Sequence, residues 1–341
     1  MKKTSLNDIA QQLGVSKTLV SLVLNGKAKE QRISDEICKK VTELAKELNY
    51  KPNQIAKGLR TGKTNTIGLI IADIANPFFG KLGREIEKEA AIHGYRVMFC
   101  SSDENAENSR KQIEMLQQGQ VDGFIIAPPA GSENQILSLK RSKTPFVLID
   151  RYFPDIETNY IVVDNAQASY EATSHLIGKG YRKIACITLN VHLNNMNQRV
   201  LGYKQALIEN NIQVDENLIK MMPFSHEKDD LVDAVKQLDP GNKNKVDAVF
   251  FATSKLGIMG IETIHLLGLS IPNDIAVVSF DDPDAYKISQ PPISAIAQPL
   301  KEIGNQSVRV LLDLMKNEKE ISEVQQIVLK ANFIARKSSG D

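Results

Sequence analysis

Three groups of side chains have types and spacings that suit chemistry, and none of them suits catalysis. Ser16, Lys17, Thr18 and Ser21 crowd the start of a short apolar-periodic segment, and a helix start rich in donors suits phosphates and base edges. Arg199 opens an R-x-x-G-Y turn just after an apolar run, where a guanidinium can grip ligand oxygens two at a time. Asp281 ends the run AVVSFDD and can accept from hydroxyls or ring nitrogens. Arg199 and Asp281 have an equally good local reading, as a helix cap or a partner for a neighbouring charge, and the sequence leaves both open. Enzymatic chemistry lacks its parts: there is no GxGxxG, GxSxG or Walker A run. The histidines at 93, 175, 192, 226 and 265 are isolated, and His175 and His265 fall in helical patterns that read as packing or surface. Cys38, Cys100 and Cys186 are far apart, with neither disulfide nor zinc spacing. No catalytic residue, metal ligand or cofactor is expected.

The first group needs two short helices to position it. Ser5 and Asp8 approximate a capping box, and Leu6, Ile9, Ala10 and Leu13 follow at helical spacing. After a Gly14-Val15 turn, Ser16 caps a second helix that buries Leu19, Val20 and Val23. An ordinary helical hairpin has the same outline, but small Ala10 at the crossing and Gly14, free to take φ > 0, favour a helix-turn-helix. Beyond the polar loop GKAKEQR, Ser34-Asp35-Glu36 open a third helix with Ile37, Val41, Leu44, Ala45 and Leu48 inward, closed by Asn49-Tyr50. The core of such a head is thin and its independent stability marginal. Residues 51–66 predict a short helix from Pro52, with Ile55, Ala56 and Leu59 on one side and Lys57 and Arg60 offering charge. Gly58 in its interior costs about 1 kcal/mol, so this helix needs outside support to form.

Charge separates head from body. The 341 residues carry a net +1, yet residues 1–63 hold 13 Lys and Arg against 6 Asp and Glu, a net +7, and the remainder 29 against 35, a net −6. A basic head on an acidic body suits docking on a polyanion. No apolar run is long enough for a signal peptide or a membrane span, so the expected location is the cytoplasm, away from membranes.

From Thr66 onward the apolar runs IGLIIAD, RVMFCSS, FIIAPP, FVLID and YIVVD, then KIACITL, DAVFFAT, IAVVSFDD and AIAQP, alternate with amphipathic helices. Near-continuous apolar strands covered by helices predict parallel sheets buried on both faces, in two similar doubly wound halves. Ligands of such folds bind at the carboxyl ends of strands, here Asp73, Ser101-Ser102, Asp150-Arg151 and Asp281-Asp282. A transport-type binding protein with the same body needs a signal peptide and no basic head; an α/β enzyme needs a phosphate loop or catalytic cluster.

The ordered motifs LNDIAQQLGVSKTLVSLVLNG, LNYKPNQIAKGLRTGKTNTIGLI, NPFF, RVLGY and SFDD through AIAQP resemble the lactose-repressor-type transcription regulators, the LacI family, along essentially the whole chain. The resemblance implies a small all-α head at 1–50, a hinge helix and linker at 51–65, and an effector-binding and dimerisation body at 66–341 like a periplasmic sugar-binding protein. Its two lobes would comprise about 66–164 with 297–323 and 165–296 with 324–338, joined by three crossovers. Lys17, Thr18 and Leu22 would then face bases in the major groove, with Ser16, Ser21 and Asn25 on the backbone. Asn53, Ala56 and Arg60 would line the minor groove while Leu59 wedges between base pairs. Phe78, Asp150, Asn195, Arg199 and Asp281 would face the effector. The function so implied is a homodimeric, sequence-specific regulator of double-stranded DNA, read as a repressor of a near-palindromic operator, under allosteric control of a sugar or related metabolite. The chain departs from the pattern in a longer GKAKEQR loop, in apolar Leu22, which suits a thymine methyl, and in Ser254-Lys255 where the family often has Asn-Asp.

Overall fold

The computed structural model describes residues 4–50, 63–224, 228–238, 246–316 and 323–340. The chain divides into two units, Met1–Thr64 and Asn65–Asp341.

The first unit holds three helices, α1 (Leu6–Leu13), α2 (Lys17–Leu24) and α3 (Asp35–Glu47). Each starts where a serine hydroxyl accepts from a backbone amide of the first turn: Ser5 from Asp8 at 3.3 Å, Ser16 from Leu19 at 3.1 Å and Ser34 from Ile37 at 3.4 Å. The Ser5 amide donates back to the Asp8 carboxylate at 2.7 Å, completing the capping box with Asp in place of Glu. Gly14 takes φ +64 between α1 and α2, a conformation that costs a glycine nothing. Ile9, Ala10, Val20, Val41 and Ala45 are buried, and the remaining apolar residues of the three helices close partly around them. Asn49, at φ +48, ends α3, and the Tyr50 amide returns to the Ala45 carbonyl at 2.8 Å.

The second unit is built on two six-stranded sheets of matching order. One runs β11-β5-β4-β3-β1-β2 and the other β12-β10-β9-β8-β6-β7. The strands are β1 (Thr66–Ile71), β2 (Arg96–Ser101), β3 (Gly123–Ile126), β4 (Phe146–Ile149), β5 (Tyr160–Val163), β6 (Ile184–Leu189), β7 (Ile219–Met222), β8 (Ala248–Phe251), β9 (Ala276–Phe280), β10 (Ser294–Ala297), β11 (Gln326–Leu329) and β12 (Asn332–Ile334). Among the described pairings only β10 with β12 is antiparallel. The interior strands are buried from end to end, as their unbroken apolar runs require.

The covering helices are α4 (Pro77–Ile92), α5 (Ala106–Gln118), α6 (Glu133–Arg141), α7 (Asn165–Gly178), α8 (Asn194–Glu209), α9 (Lys228–Lys236), α10 (Ser254–Leu266), α11 (Asp284–Ile288) and α12 (Leu300–Lys316). α12 packs on α4 and on strands of the first sheet, although it follows a strand of the second. The chain passes between lobes after β5, β10 and β11.

The last passage corrects one expectation. Residues 324–338 do not all join the second lobe, because β11 pairs in parallel with β5 and extends the first sheet; only β12 lies in the second. The free edge of β5 decides this, since its amides and carbonyls need a partner strand. β7, β11 and β12 are all short, partly exposed edge strands that the apolar-run pattern does not predict.

Candidate functional site

Two surfaces meet the chemical expectations. On the first unit, the i, i+4 spacing of α2 sets Lys17, Ser21 and Asn25 in one row and Thr18 and Leu22 in the next, away from buried Val20. Ser16, Lys17, Thr18 and Asn25 are exposed, Ser21 and Leu22 half-buried. Asn25 Nδ2 donates to the Ser21 carbonyl at 2.6 Å and to Ser21 Oγ at 3.2 Å, which fastens the end of the helix and orients the exposed Asn25 side chain beside Ser21. The hinge positions Asn53, Ala56, Leu59 and Arg60 lie outside the described residues.

The second surface is a cleft, open to solvent, between the lobes of the second unit. Phe78, Asp150, Asn195, Arg199 and Asp281 all line it. They arrive from the carboxyl ends of parallel strands or the helix starts that follow them, where backbone dipoles and loops converge. Asn76 caps α4 by accepting from the Phe78 amide at 3.0 Å. The Phe78 and Phe79 rings there meet edge to face, with centroids 4.9 Å apart. Asp150 follows β4 and Asp281 follows β9, both at φ +66, and both line the cleft.

Arg199 makes the local contacts of one reading while lining the cleft that the other requires. It lines the cleft, yet Nε donates to Asn165 Oδ1 at 2.8 Å, Nη1 donates to the Ala252 carbonyl at 2.7 Å, and its guanidinium carbon lies 3.4 Å from the Phe280 ring centroid. The R-x-x-G-Y spacing explains how it gets there. A side chain at Gly202 would stand 2.0 Å from the Ala166 carbonyl oxygen, so α8 can lie on α7 only with glycine at that position. Tyr203, fully buried, donates to the Ile184 carbonyl at 2.6 Å and pins the helix to the start of β6.

Asp281 likewise has partners inside the protein: Gln298 Nε2 at 2.7 Å and Ser254 Oγ at 3.4 Å. Burial pushes its carboxyl above the ordinary range, against the pull of the Arg199 cation and its hydrogen bonds. Burial also holds Arg199 below its usual value, opposed by Asp281 and Asp150. Asn195 Nδ2 reaches across the cleft to Asp150 Oδ2 at 3.2 Å, and the Tyr152 amide to Asn194 Oδ1 at 3.4 Å. Lys81 and Asp284 join the lobes again at 3.0 Å.

Sequence reasoning passed over several cleft residues. Glu104 takes two contacts from Arg151 Nη1, at 2.7 and 2.8 Å, with both side chains almost fully buried. Gln298, Thr253 and Phe224 also face the cavity. Gln298 and Thr253 lie at the carboxyl ends of the strand runs AIAQP and DAVFFAT, so the strand-end rule that selected Asp281 would have found them. Phe224 follows β7, which was itself not foreseen.

Comparison with known proteins assigns each of the two units to a domain of one family. Residues 5–53 match the model of bacterial regulatory proteins of the lacI family, and residues 64–337 that of periplasmic binding proteins and the sugar-binding domain of the LacI family. The HTH-type transcriptional regulator DegA of Bacillus subtilis is 32% identical over 99% of this chain and 98% of its own length. Catabolite control protein A of Priestia megaterium is 30% identical over 96% and 98%. Among solved structures, the transcriptional regulator CelR in complex with cellobiose aligns with TM-score 0.72 at 26% identity, covering 98% of this chain and all of that one. The lac repressor dimer bound to operator shares the fold at TM-score 0.86 and 22% identity, covering 99% of each chain. The chain belongs to the LacI family and is a DNA-binding transcription regulator, not an enzyme, whose two-lobed body is an effector-binding domain.

Proposed function

We propose that this regulator is a cytoplasmic, homodimeric repressor that holds a near-palindromic operator with two copies of α2 and releases or tightens its grip when a sugar or related metabolite enters the cleft. The observation that carries the reading is the pairing, in one chain, of an outward polar row on α2 with a strand-end cleft lined by Asp150, Asn195, Arg199 and Asp281. Lys17, Thr18 and Leu22 read bases, while Ser16, Ser21 and Asn25 hold phosphates. Asn53, Ala56, Leu59 and Arg60 complete the contact in the minor groove, with Leu59 as the wedge. Few readers per head mean that specificity depends on two half-sites at fixed spacing and on the bending of the DNA between them. Among the described residues no helix is long and apolar enough to cross a membrane.

Regulation follows from linkage. The cross-lobe bonds of Asn195 with Asp150 and of Lys81 with Asp284 belong to one degree of lobe closure. A ligand that binds two degrees of closure unequally shifts the population between them, and with it the separation of the two hinge segments. The test is to recover genomic fragments retained by the purified full chain and to screen metabolites for those that change retention. Operator affinity that falls steeply with salt is expected from counterion release. Retention of no fragment above random DNA would overturn the reading.

A further inference from the structure

Four carboxylates and three cations line the cleft: Asp73, Glu104, Asp150 and Asp281 against Arg151, Arg199 and Lys255. What a ligand meets depends on which of these are already answered. Each carboxylate has a donor. Asp73 accepts from the Ala75 amide at 2.8 Å, Glu104 from Arg151, Asp150 from Asn195, and Asp281 from Gln298 and Ser254. The cations are answered unevenly. Arg199 spends its hydrogen bonds on Asn165 and the Ala252 carbonyl. Arg151, only 4% exposed, gives Nη1 to Glu104 but keeps an Nε with no hydrogen-bond acceptor, 3.4 Å from Asp150 Oδ2. Lys255 forms no salt bridge among the described residues; its ammonium stands 5.3 Å from the centroid of the Phe224 ring, a second wall of the cleft.

Position adds to the charge. Lys255 lies in the first turn of α10, whose Leu256 amide is taken by Thr253 Oγ1 at 3.3 Å. The amides of the first helical positions have no intrahelical acceptor, and the positive end of the helix dipole adds to the positive potential that a lysine there presents to an anion. Arg151, paired with Glu104 and with its Nε 3.4 Å from Asp150 Oδ2, lines the same cavity as this lysine.

We propose that the effector is an anionic sugar derivative, an aldonate or a sugar phosphate, whose hydroxyls engage Asp150, Asn195, Arg199 and Asp281 and whose charged group engages Lys255 at the start of α10. This rests on the cleft being the effector site. The acceptor-rich floor suits the hydroxyls, which donate to carboxylates, and the cleft's Lys255, with no salt bridge among the described residues, suits the anion, which only accepts. Charge-assisted hydrogen bonds are about twice as strong as neutral ones.

Calorimetric titration of the full chain with matched probes tests this: ribose, ribonate and ribose 5-phosphate, then glucose, gluconate and glucose 6-phosphate, with inorganic phosphate and acetate as controls. The expected result is that in one series an anionic member binds about tenfold tighter than its neutral parent, by a margin that shrinks with salt. The carboxylate and phosphate arms identify the anion. Lys255→Met should bring the anion down to the affinity of its parent, and Lys255→Arg should restore most of the preference. A neutral sugar that binds as well as its anions, with binding lost in Arg199→Ala, overturns the anionic class and leaves the cleft as the effector site. A preference that persists unchanged in Lys255→Met removes the lysine from the proposal, and inorganic phosphate binding as tightly as the esters removes the sugar. If no probe binds in either series while the chain retains operator DNA, the assignment of the cleft to a sugar-like effector falls with it.

Discussion

The two lobes of the body are two versions of one arrangement, and their differences show what each contributes. Both sheets have the same strand order, and the equivalent strands β4 and β9 each end in an aspartate at φ +66. Each aspartate is followed by a charged residue held in an ion pair. In the first lobe Arg151 pairs with Glu104, with side chains 5% and 4% exposed; in the second Asp282 pairs with Arg336, with 11% and 16%. The first pair sits in the cleft and leaves a donor without an acceptor. The second pair is bidentate, adds a bond from Arg336 to the Ile293 carbonyl at 2.6 Å, and ties the chain end to the sheet. Equivalent positions have thus become a wall of the cleft in one lobe and a structural clasp in the other.

The largest effect that tests this contrast is expected in the deeper pair. Arg151→Met leaves Glu104 buried beside Asp150 with no cation, and removal of one partner from such a pair costs about 3 kcal/mol. Arg336→Met leaves an Asp282 that water can reach more easily, and a cost of about 1 kcal/mol follows. Equal losses in chemical denaturation would mean that burial is not what separates the two pairs. The second effect in size concerns the helices behind the cleft. Gly202→Ala drives a methyl into the Ala166 carbonyl, forcing α8 from α7 and lowering stability by about 2 kcal/mol. A melting temperature equal to that of the unsubstituted chain would show that α8 shifts freely and that Arg199 is not positioned by this contact.

The same contrast explains what could be read from the residues. The head was legible because its signals are local: Ser5, Ser16 and Ser34 each bond an amide three residues on. The interior strands were legible because burial on both faces imposes unbroken apolar runs. β7, β11 and β12 were not, since each is three or four residues long and only partly buried, and β11 joins the first lobe through pairing to a strand 166 residues away, as between Asn159 and Gln325. Within the cleft, Arg199 and Asp281 were visible as polar residues beside apolar runs. The pairing of Arg151 with Glu104 was not, because it joins the ends of β4 and β2 across β3 and β1, a relation that only the sheet order supplies.

The smallest effect expected, and the most specific, concerns Asp281. Its carboxyl is raised above the ordinary value by burial first, while Arg199 and the Gln298 bond pull it down. A raised pKa in the folded state means that the folded chain binds this proton more tightly than the unfolded chain, where an aspartate titrates near 3.9. The favourable contribution is therefore full below about pH 4 and is lost as pH rises through the folded pKa. Asp281→Asn keeps the shape of the side chain and an acceptor for Gln298 but has no proton to lose. Unfolding measured from about pH 4 to pH 8 should show the unsubstituted chain losing stability relative to the variant as pH increases, with the gap constant once Asp281 is ionised. A gap that widens instead toward acid would mean that Arg199 outweighs desolvation, and that the second lobe presents the cleft with a stably ionised carboxylate.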